Sequence, residues 1–301
     1  MQVLVTGGDG FVGRNLCAEL AERGHDVTSL SREPDPSVLP DSVDTAAGNV
    51  TEYDSIESAF ESQDVVVNLV ALSPLFTPDG GNGMHEKVHL DGTKNVVAAA
   101  EAHDVDRIVQ MSGVDADPDG PTHYLRAKGQ AEEVVKDSDL EWVIFRPSIV
   151  FGDGDEIVPF TKRLKKLFAP GLPVYPLPGG GKKTVFQPIW VGDLAEIMAD
   201  AIENEEHTGR TFEVGGPEVL TLRDVTEMVY ESEDKSVRIV PLPMALAGIG
   251  LTTLGVLPGF PMDSDQYRGL KVGNISENDV DHFGIDESVL RSFGDYLGLA
   301  R

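Results

Sequence analysis

Val3-Leu4-Val5-Thr6-Gly7-Gly8-Asp9-Gly10-Phe11-Val12-Gly13 decides the reading of this chain. Its apolar start predicts a buried strand, and Gly7, Gly10 and Gly13 follow at turn spacing. Val12, Leu16, Cys17 and Leu20 then share one helical stripe, which stops at Gly24. In a dinucleotide fold the early glycines allow a tight turn and close approach of backbone to a pyrophosphate. The helix N-terminus faces the negative charge, and the last glycine lets helix and strand pack closely. Such a spacing alone is weak. With a strand before it and a helix after it, it predicts a bound nicotinamide dinucleotide.

Outward from this loop, strand and helix alternate. A second strand runs from Asp26 to Arg32 and a third from Asp44 to Gly48; a near-continuous apolar run follows from Asp64 to Ala71, as in a strand covered on both faces. Helices are expected through Gly92–Ala100 and Thr122–Lys136, with strands at Asp106–Ser112 and Trp142–Arg146. The alternation predicts an α/β chain with a doubly wound, Rossmann-type parallel sheet. Past Phe151 the pattern loosens. Pro170–Gly181 reads as a loop, Val191–Ile202 and Leu222–Glu231 as helices, Thr211–Val214 and Val237–Val240 as strands, and Glu287–Leu297 as a last helix. We expect a dinucleotide domain over about 1–150, with strand and helix returns from about 184–240, and a smaller substrate or partner lobe over 151–301.

The chain of 301 residues is 41% hydrophobic, enough for a core, and carries 51 acidic against 24 basic residues, a net charge of −27. Such a charge repels nucleic acid. The regular apolar periodicity argues against disorder, and an acidic surface adapted to concentrated salt is expected; repulsion is screened within about 3 Å at 1 M. The start runs straight into a strand without the basic and apolar regions of a signal peptide, so a cytoplasmic location is expected. The single cysteine, Cys17, excludes an internal disulfide and sits on the apolar side of the first helix.

Tyr124-Leu-Arg-Ala-Lys128 places a phenol and an ammonium on one helical face. A tyrosine of ordinary pKa about 10 is a poor base near neutrality, and a nearby lysine cation favours the phenolate. The lysine can also bond the nicotinamide ribose. At the end of the second strand a carboxylate would accept from the ribose hydroxyls of NAD. Here Ser31 and Arg32 stand there, a hydroxyl and a guanidinium suited to a 2′-phosphate, so NADP(H) is expected, with NAD(H) as the alternative. Glu33 follows at once and Asp9 lies in the phosphate loop, and both temper that choice.

Thr6–Gly13, Tyr124-x-x-x-Lys128 and Arg146-Pro147-Ser148-Ile149-Val150-Phe151-Gly152 resemble the extended short-chain dehydrogenase/reductase superfamily. Val88–Asn95 and Gln187–Asp193 fit it as well, so the resemblance spans about residues 1 to 220. Phe11-Val-Gly-Arg14, Tyr124-Leu-Arg-Ala-Lys128 and the Asp265-Gln266 region look closest to an atypical branch. That branch includes the NADPH-binding accessory subunit of respiratory complex I and its prokaryotic relatives. The resemblance implies a cofactor site from Gly7, Gly10, Phe11, Val12, Gly13, Ser31, Arg32, Asn49, Val50, Val70, Ala71, Lys128, Pro147 and Ile149. It implies Tyr124, Lys128 and Ser112 as the catalytic set. Three departures stand out. Gly113 replaces a second serine whose hydroxyl would polarise a carbonyl, which leaves Ser112 a mainly structural role; His89 stands where asparagine is common; and Asn49 replaces an adenine-contacting aspartate but keeps a carbonyl acceptor.

Other patterns are set aside or left open. His85-Glu86-Lys87-Val88-His89 spells a zinc-protease signature, yet no third ligand has a recognisable spacing, and no metal is expected. Gly179-Gly-Gly-Lys-Lys-Thr184 lacks the spacing of a triphosphate loop. Ile157, Phe160, Leu164, Leu167 and Phe168 share a stripe beside Lys162, Arg163, Lys165 and Lys166. That stretch is a solvated helix face or a contact for an anionic head group or partner. Ile239–Met262 carries no charge and is broken by prolines and glycines, so it reads as core, the wall of an apolar pocket or a shallow membrane contact. Three functions follow as expectations. The first is an oxidoreductase acting on an apolar carbonyl or quinone-like substrate. The second is a non-catalytic dinucleotide-binding protein of a respiratory assembly, peripheral to the membrane. The third is a sugar-nucleotide epimerase, weakened by Gly113 and by the lack of clear diphosphate-binding arginines. The oligomeric state is not legible.

Overall fold

In the computed structural model, which describes residues 1–172, 174–244, 246, 262–269 and 271–299, the early apolar runs are all strands. They are β1 (Gln2–Thr6), β2 (Asp26–Ser31), β3 (Asp44–Ala47), β4 (Val65–Asn68), β5 (Arg107–Met111) and β6 (Glu141–Pro147). With the later strand Arg210–Val214 they form one sheet in the order Arg210–Val214, β6, β5, β4, β1, β2, β3. Every neighbouring pair is parallel. Parallel strands need crossovers, and the helices Phe11–Glu22, Gly92–Ala102, His123–Lys136 and Val191–Glu203 supply them. The order reverses between β1 and β4, and the crevice beyond the carboxyl ends of such a pair is where open α/β sheets bind ligands. The expected Rossmann-type fold is therefore the observed one.

Burial explains the apolar runs. Val3, Leu4 and Val5 on β1, and Val66 and Val67 on β4, are fully buried. Leu4, Val66, Ile108 and Ile144 come from four adjacent strands and pack with Phe60, Val96 and Ala100 in one core cluster. Strands covered on both faces need no alternation, so the runs look continuous. The strand of β4 stops at Asn68, three residues short of the expected Ala71.

The chain divides into two units. The first holds Met1–Leu72, Asp79–Pro147 and Val191–Val214; the second holds Ser73–Pro78, Ser148–Trp190 and Gly215–Arg301. In the second unit, Phe151, Ile157, Met228 and Phe293 form one buried cluster. Phe160, Leu164, Tyr175, Leu177 and Met262 form another.

Two expectations in the second unit are corrected. Pro170–Gly181 contains a strand, Val174–Pro178, paired parallel with Arg238–Leu242, where Tyr175 and Leu177 are buried at alternate positions. The expected last helix Glu287–Leu297 is a 3-10 turn, Glu287–Val289, followed by a short helix, Phe293–Tyr296. Ser292 interrupts it by capping the second piece, its Oγ accepting from Asp295 N at 3.0 Å.

The basic stretch is the helix Ile157–Phe168. Ile157, Phe160 and Leu164 are buried, whereas Leu167 and Phe168 are exposed at 37% and 40%. Lys162 pairs with Glu233, and the Arg163 guanidinium lies 4.4 Å from the Phe76 ring centroid. Ala245 and residues 247–261 of the uncharged stretch lie outside the described residues. Among the described residues no helix is long and apolar enough to cross a membrane.

Candidate functional site

All but one of the residues expected in the site belong to the first unit, at or beyond the carboxyl ends of its strands. The exception is Ile149, which lies in the second unit, half-buried against its Phe151 cluster.

The loop after β1 is shaped by its glycines. Gly7 has φ +74°, a left-handed conformation that side chains disfavour, and its N–H donates to Leu30 O at 2.7 Å. A Cβ on Gly13 would lie 2.1 Å from Gly7 O and 2.7 Å from Gly8 Cα, so the first helix presses directly on the turn. Gly10 is the N-cap of that helix and gives it no side-chain cap. The first-turn amides thus carry no side-chain cap, and the turn before them holds its shape only without a Cβ at Gly13. That is what a pyrophosphate requires: backbone donors, the positive end of a helix, and no side chain in the way. The loop fits a dinucleotide.

Residues around the loop take several roles. Thr6 Oγ1 donates to Asn68 Oδ1 at 2.7 Å, and Asn68 Nδ2 donates to Gln110 Oε1 at 2.9 Å and Thr93 Oγ1 at 3.1 Å. This buried polar chain ties the ends of β1, β4 and β5 together, and sequence reasoning did not foresee it. Val70 packs on Gly7, its N 3.3 Å from where a Cβ would stand, and Ala71 is exposed. Asn49 holds its own turn: Oδ1 accepts from Thr51 N at 3.2 Å and Thr51 Oγ1 at 3.1 Å, and Nδ2 donates to Glu52 at 3.0 Å. The carbonyl expected to face adenine is thus already engaged. Val50 is buried, and its carbonyl accepts from Asn95 Nδ2 at 2.8 Å. At the end of β2, Ser31 Oγ donates to Asp9 Oδ2 at 2.7 Å, and Asp35 N donates to the same oxygen at 3.2 Å. Arg32 beside it is exposed. Pro147 is buried at the end of β6, its carbonyl accepting from Val114 N at 3.3 Å.

Tyr124 and Lys128 lie on the helix His123–Lys136, capped by Thr122 Oγ1, which accepts from Leu125 N at 3.1 Å. Gly129 fixes how this helix docks, because a Cβ there would lie 2.3 Å from the backbone of Asp117 and Pro118. Lys128 is 2% exposed, and its Nζ donates to Met111 O, at the end of β5, at 2.8 Å. The ammonium stands 6.0 Å from the Tyr124 ring centroid. Burial pushes the Tyr124 phenol up to about 12 and the Lys128 ammonium down to about 8, the latter partly offset by Glu132. At neutral pH the pair is a protonated phenol beside a largely protonated amine.

Gly113 meets the same phenol. A Cβ at 113 would stand 3.1 Å from the Tyr124 hydroxyl, so the oxygen lies against bare backbone. The Ser112 hydroxyl is buried beside Glu132 without a hydrogen bond of good geometry to it. Glu132 anchors the helix from below. Burial raises its carboxyl, but the bidentate Arg146 guanidinium at 2.8 Å and Lys136 at 3.0 Å hold it below the ordinary carboxylate range.

The zinc-like signature has another place. His85 and His89 present their ring edges or faces to Tyr124, with centroids 5.7 and 5.4 Å away, and stand 5.4 Å from each other. A π-helical turn, Glu86–Asp91, carries His89. Leu72 N donates to His89 Nε2 at 3.0 Å, which leaves the proton on Nδ1 in the neutral ring. Burial, then Lys128 and His85, hold His89 well below the usual histidine range. His89 therefore faces the tyrosine as a neutral imidazole. Among the described residues no group of three or more His, Cys, Asp or Glu is arranged to hold a metal.

Residues 7–166 match the NAD(P)H-binding family, and the chain belongs to it. It is 31% identical over 255 residues to the mitochondrial NADH dehydrogenase (ubiquinone) 1 alpha subcomplex subunit 9 of Arabidopsis thaliana, covering 81% of this chain and 60% of that protein. The 2-alkyl-3-oxoalkanoate reductase of Stenotrophomonas maltophilia is 31% identical over 177 residues, covering 52% and 53% of the two chains. The fold superposes on a nucleoside-diphosphate-sugar epimerase from Staphylococcus aureus with a TM-score of 0.74 at 15% identity, covering 99% of each chain. The chain thus spans less than two thirds of the length of these two sequence relatives.

Proposed function

We propose that the protein is an NAD(P)H-dependent oxidoreductase of the short-chain dehydrogenase/reductase type that reduces an apolar carbonyl or quinone-like substrate. One observation carries this reading: the Tyr124–Lys128 pair, with Lys128 fixed on the Met111 carbonyl and the phenol oxygen bare against Gly113. The bound dinucleotide would supply or accept a hydride. Gly7, Gly10, Phe11, Val12 and Gly13 would hold its pyrophosphate, with Val70 and Ala71 beside them. Tyr124 gives its phenolic proton to the substrate oxygen as that oxygen gains charge. Lys128 stabilises the phenolate left behind until solvent restores the proton. The substrate oxygen finds no hydroxyl at position 113, so Tyr124 carries the polarisation as well as the proton.

A second reading keeps the binding and drops the turnover. The Arabidopsis relative is, by name, a subunit of NADH dehydrogenase, and the missing hydroxyl at 113 lowers the demand that the site be catalytic. In that reading the dinucleotide is a structural ligand or redox sensor of a respiratory assembly. The protein would then be cytoplasmic and peripheral to the membrane.

Purification in molar salt, identification of any retained dinucleotide by absorbance and mass, and oxidation by added carbonyls and quinones separate the two. Turnover that Tyr124→Phe lowers by about 10²- to 10⁴-fold with binding intact supports the enzyme. Retained reduced dinucleotide that no carbonyl or quinone oxidises supports the scaffold.

A further inference from the structure

The negative charge of the chain is unevenly shared. The first unit holds 34 acidic against 11 basic residues, the second 17 against 13. Within the second unit, Ile157–Trp190 carries six basic residues, Lys162, Arg163, Lys165, Lys166, Lys182 and Lys183, and no acidic one. Lys162 is paired with Glu233 and Arg163 lies on the Phe76 ring. Lys165 and Lys166 form no ion pair with any described residue.

The end of the helix Ile157–Phe168 departs from the rest of it. The apolar stripe that buries Ile157, Phe160 and Leu164 comes out into solvent at Leu167 and Phe168, and Leu172 just beyond is 54% exposed. Lys166, Leu167, Phe168, Pro170, Gly171 and Leu172 are all exposed, with only Ala169 buried among them. Lys165 Nζ donates to Leu172 O at 3.1 Å, which holds the turn beside the helix end. Gly171 has φ +70° and nothing within 4 Å of its Cβ position, so the turn faces open space there. A tip of two leucines and a phenylalanine flanked by lysines offers no groove to grip a peptide. It suits a bilayer interface, where the apolar side chains enter the acyl boundary and the lysine stems carry their ammonium groups to anionic head groups. The near balance of charge in the second unit leaves little repulsion to oppose that approach.

We propose that the tip Lys165–Leu172 docks the protein on an anionic lipid surface, lying on the bilayer without spanning it. The proposal holds for either reading of the dinucleotide site, because every residue of the tip belongs to the second unit.

The test is flotation with vesicles of phosphatidylglycerol and phosphatidylcholine in equal parts, against phosphatidylcholine alone, at the lowest salt in which circular dichroism shows folded protein. The mixed vesicles should take up the wild type at least about fivefold better than phosphatidylcholine alone. Phe168→Ser with Leu172→Ser, and separately Lys165→Glu with Lys166→Glu, should each lower uptake by the mixed vesicles at least about tenfold. Val289→Ser, at an apolar position 74% exposed outside this stretch, should leave it unchanged. Wild type that floats with neither vesicle, or equally with both, overturns the proposal, as does a serine variant that floats like wild type. Should the serine variant lose its fold, the glutamate variant decides, and wild-type uptake there overturns the proposal. Binding to polyglutamate that needs Lys165 and Lys166, without binding to vesicles, also overturns it and makes the tip a contact for an acidic protein.

Discussion

Gly13→Ala puts a single methyl where the first helix meets the glycine loop. That Cβ would sit 2.1 Å from Gly7 O and 2.7 Å from Gly8 Cα, both backbone atoms, so no rotamer change relieves it. Restoring contact distance requires the helix and turn to part by roughly 1 Å in an interior with no slack. Overpacking of this kind costs about 1–3 kcal/mol, and in a chain of this size each kcal/mol lowers Tm by about 2 °C. Binding should suffer more than stability. The same displacement moves the first-turn amides from the pyrophosphate, and each charge-assisted hydrogen bond lost is worth about 1.5–3 kcal/mol, a factor of about 10 to 100 in Kd. Gly24→Ala is the control. Gly24 has φ +83° and nothing within 4 Å of its Cβ position, so alanine there is strained by about 1–2 kcal/mol without touching the loop. The two variants should melt at similar temperatures, measured by circular dichroism, yet only Gly13→Ala should lose dinucleotide affinity. Gly13→Ala with wild-type affinity would refute the phosphate-cradle reading.

Two further outcomes follow from charge. Lys128 titrates at about 8 and is protonated below that value, so its support for the phenolate is lost as pH rises through it. Carbonyl reduction should decline between about pH 7 and 9, and Lys128→Met should be slow and flat over that range; a wild-type rate constant across it would contradict the assigned role. The net charge is −27, and Asp64, Glu101, Asp104, Asp106, Asp139 and Glu205 share one groove of the first unit with Arg107. The melting temperature should fall steeply between molar and millimolar salt as screening is withdrawn, and an unchanged value would reject the salt-adapted surface.

The first unit was largely legible because its signals are short-range. Val3–Val5 before Gly7, and Tyr124 four residues before Lys128, state their geometry within one element. What escaped the sequence depends on segments far apart in the chain. Asp9 lies 22 residues from Ser31, and Thr6 lies 62 from Asn68, so neither bond has a local signature. His85 and His89 looked like a chance metal pattern because their target, Tyr124, belongs to another helix. In the second unit, Pro176 and Pro178 disguised the strand Val174–Pro178, although the alternation of Tyr175 and Leu177 was present to be read. The break in the final helix had a local sign too: Ser292 three residues before Asp295 is a capping pattern.

Calorimetric titration of the wild-type protein with NADH and NADPH, in the salt that keeps it folded, tests the phosphate cradle most directly. Saturable uptake of about one dinucleotide per chain, abolished or weakened at least about tenfold by Gly13→Ala, is the expected result. Absence of binding heat with both dinucleotides across a range of temperatures, from protein shown to be folded, would contradict it.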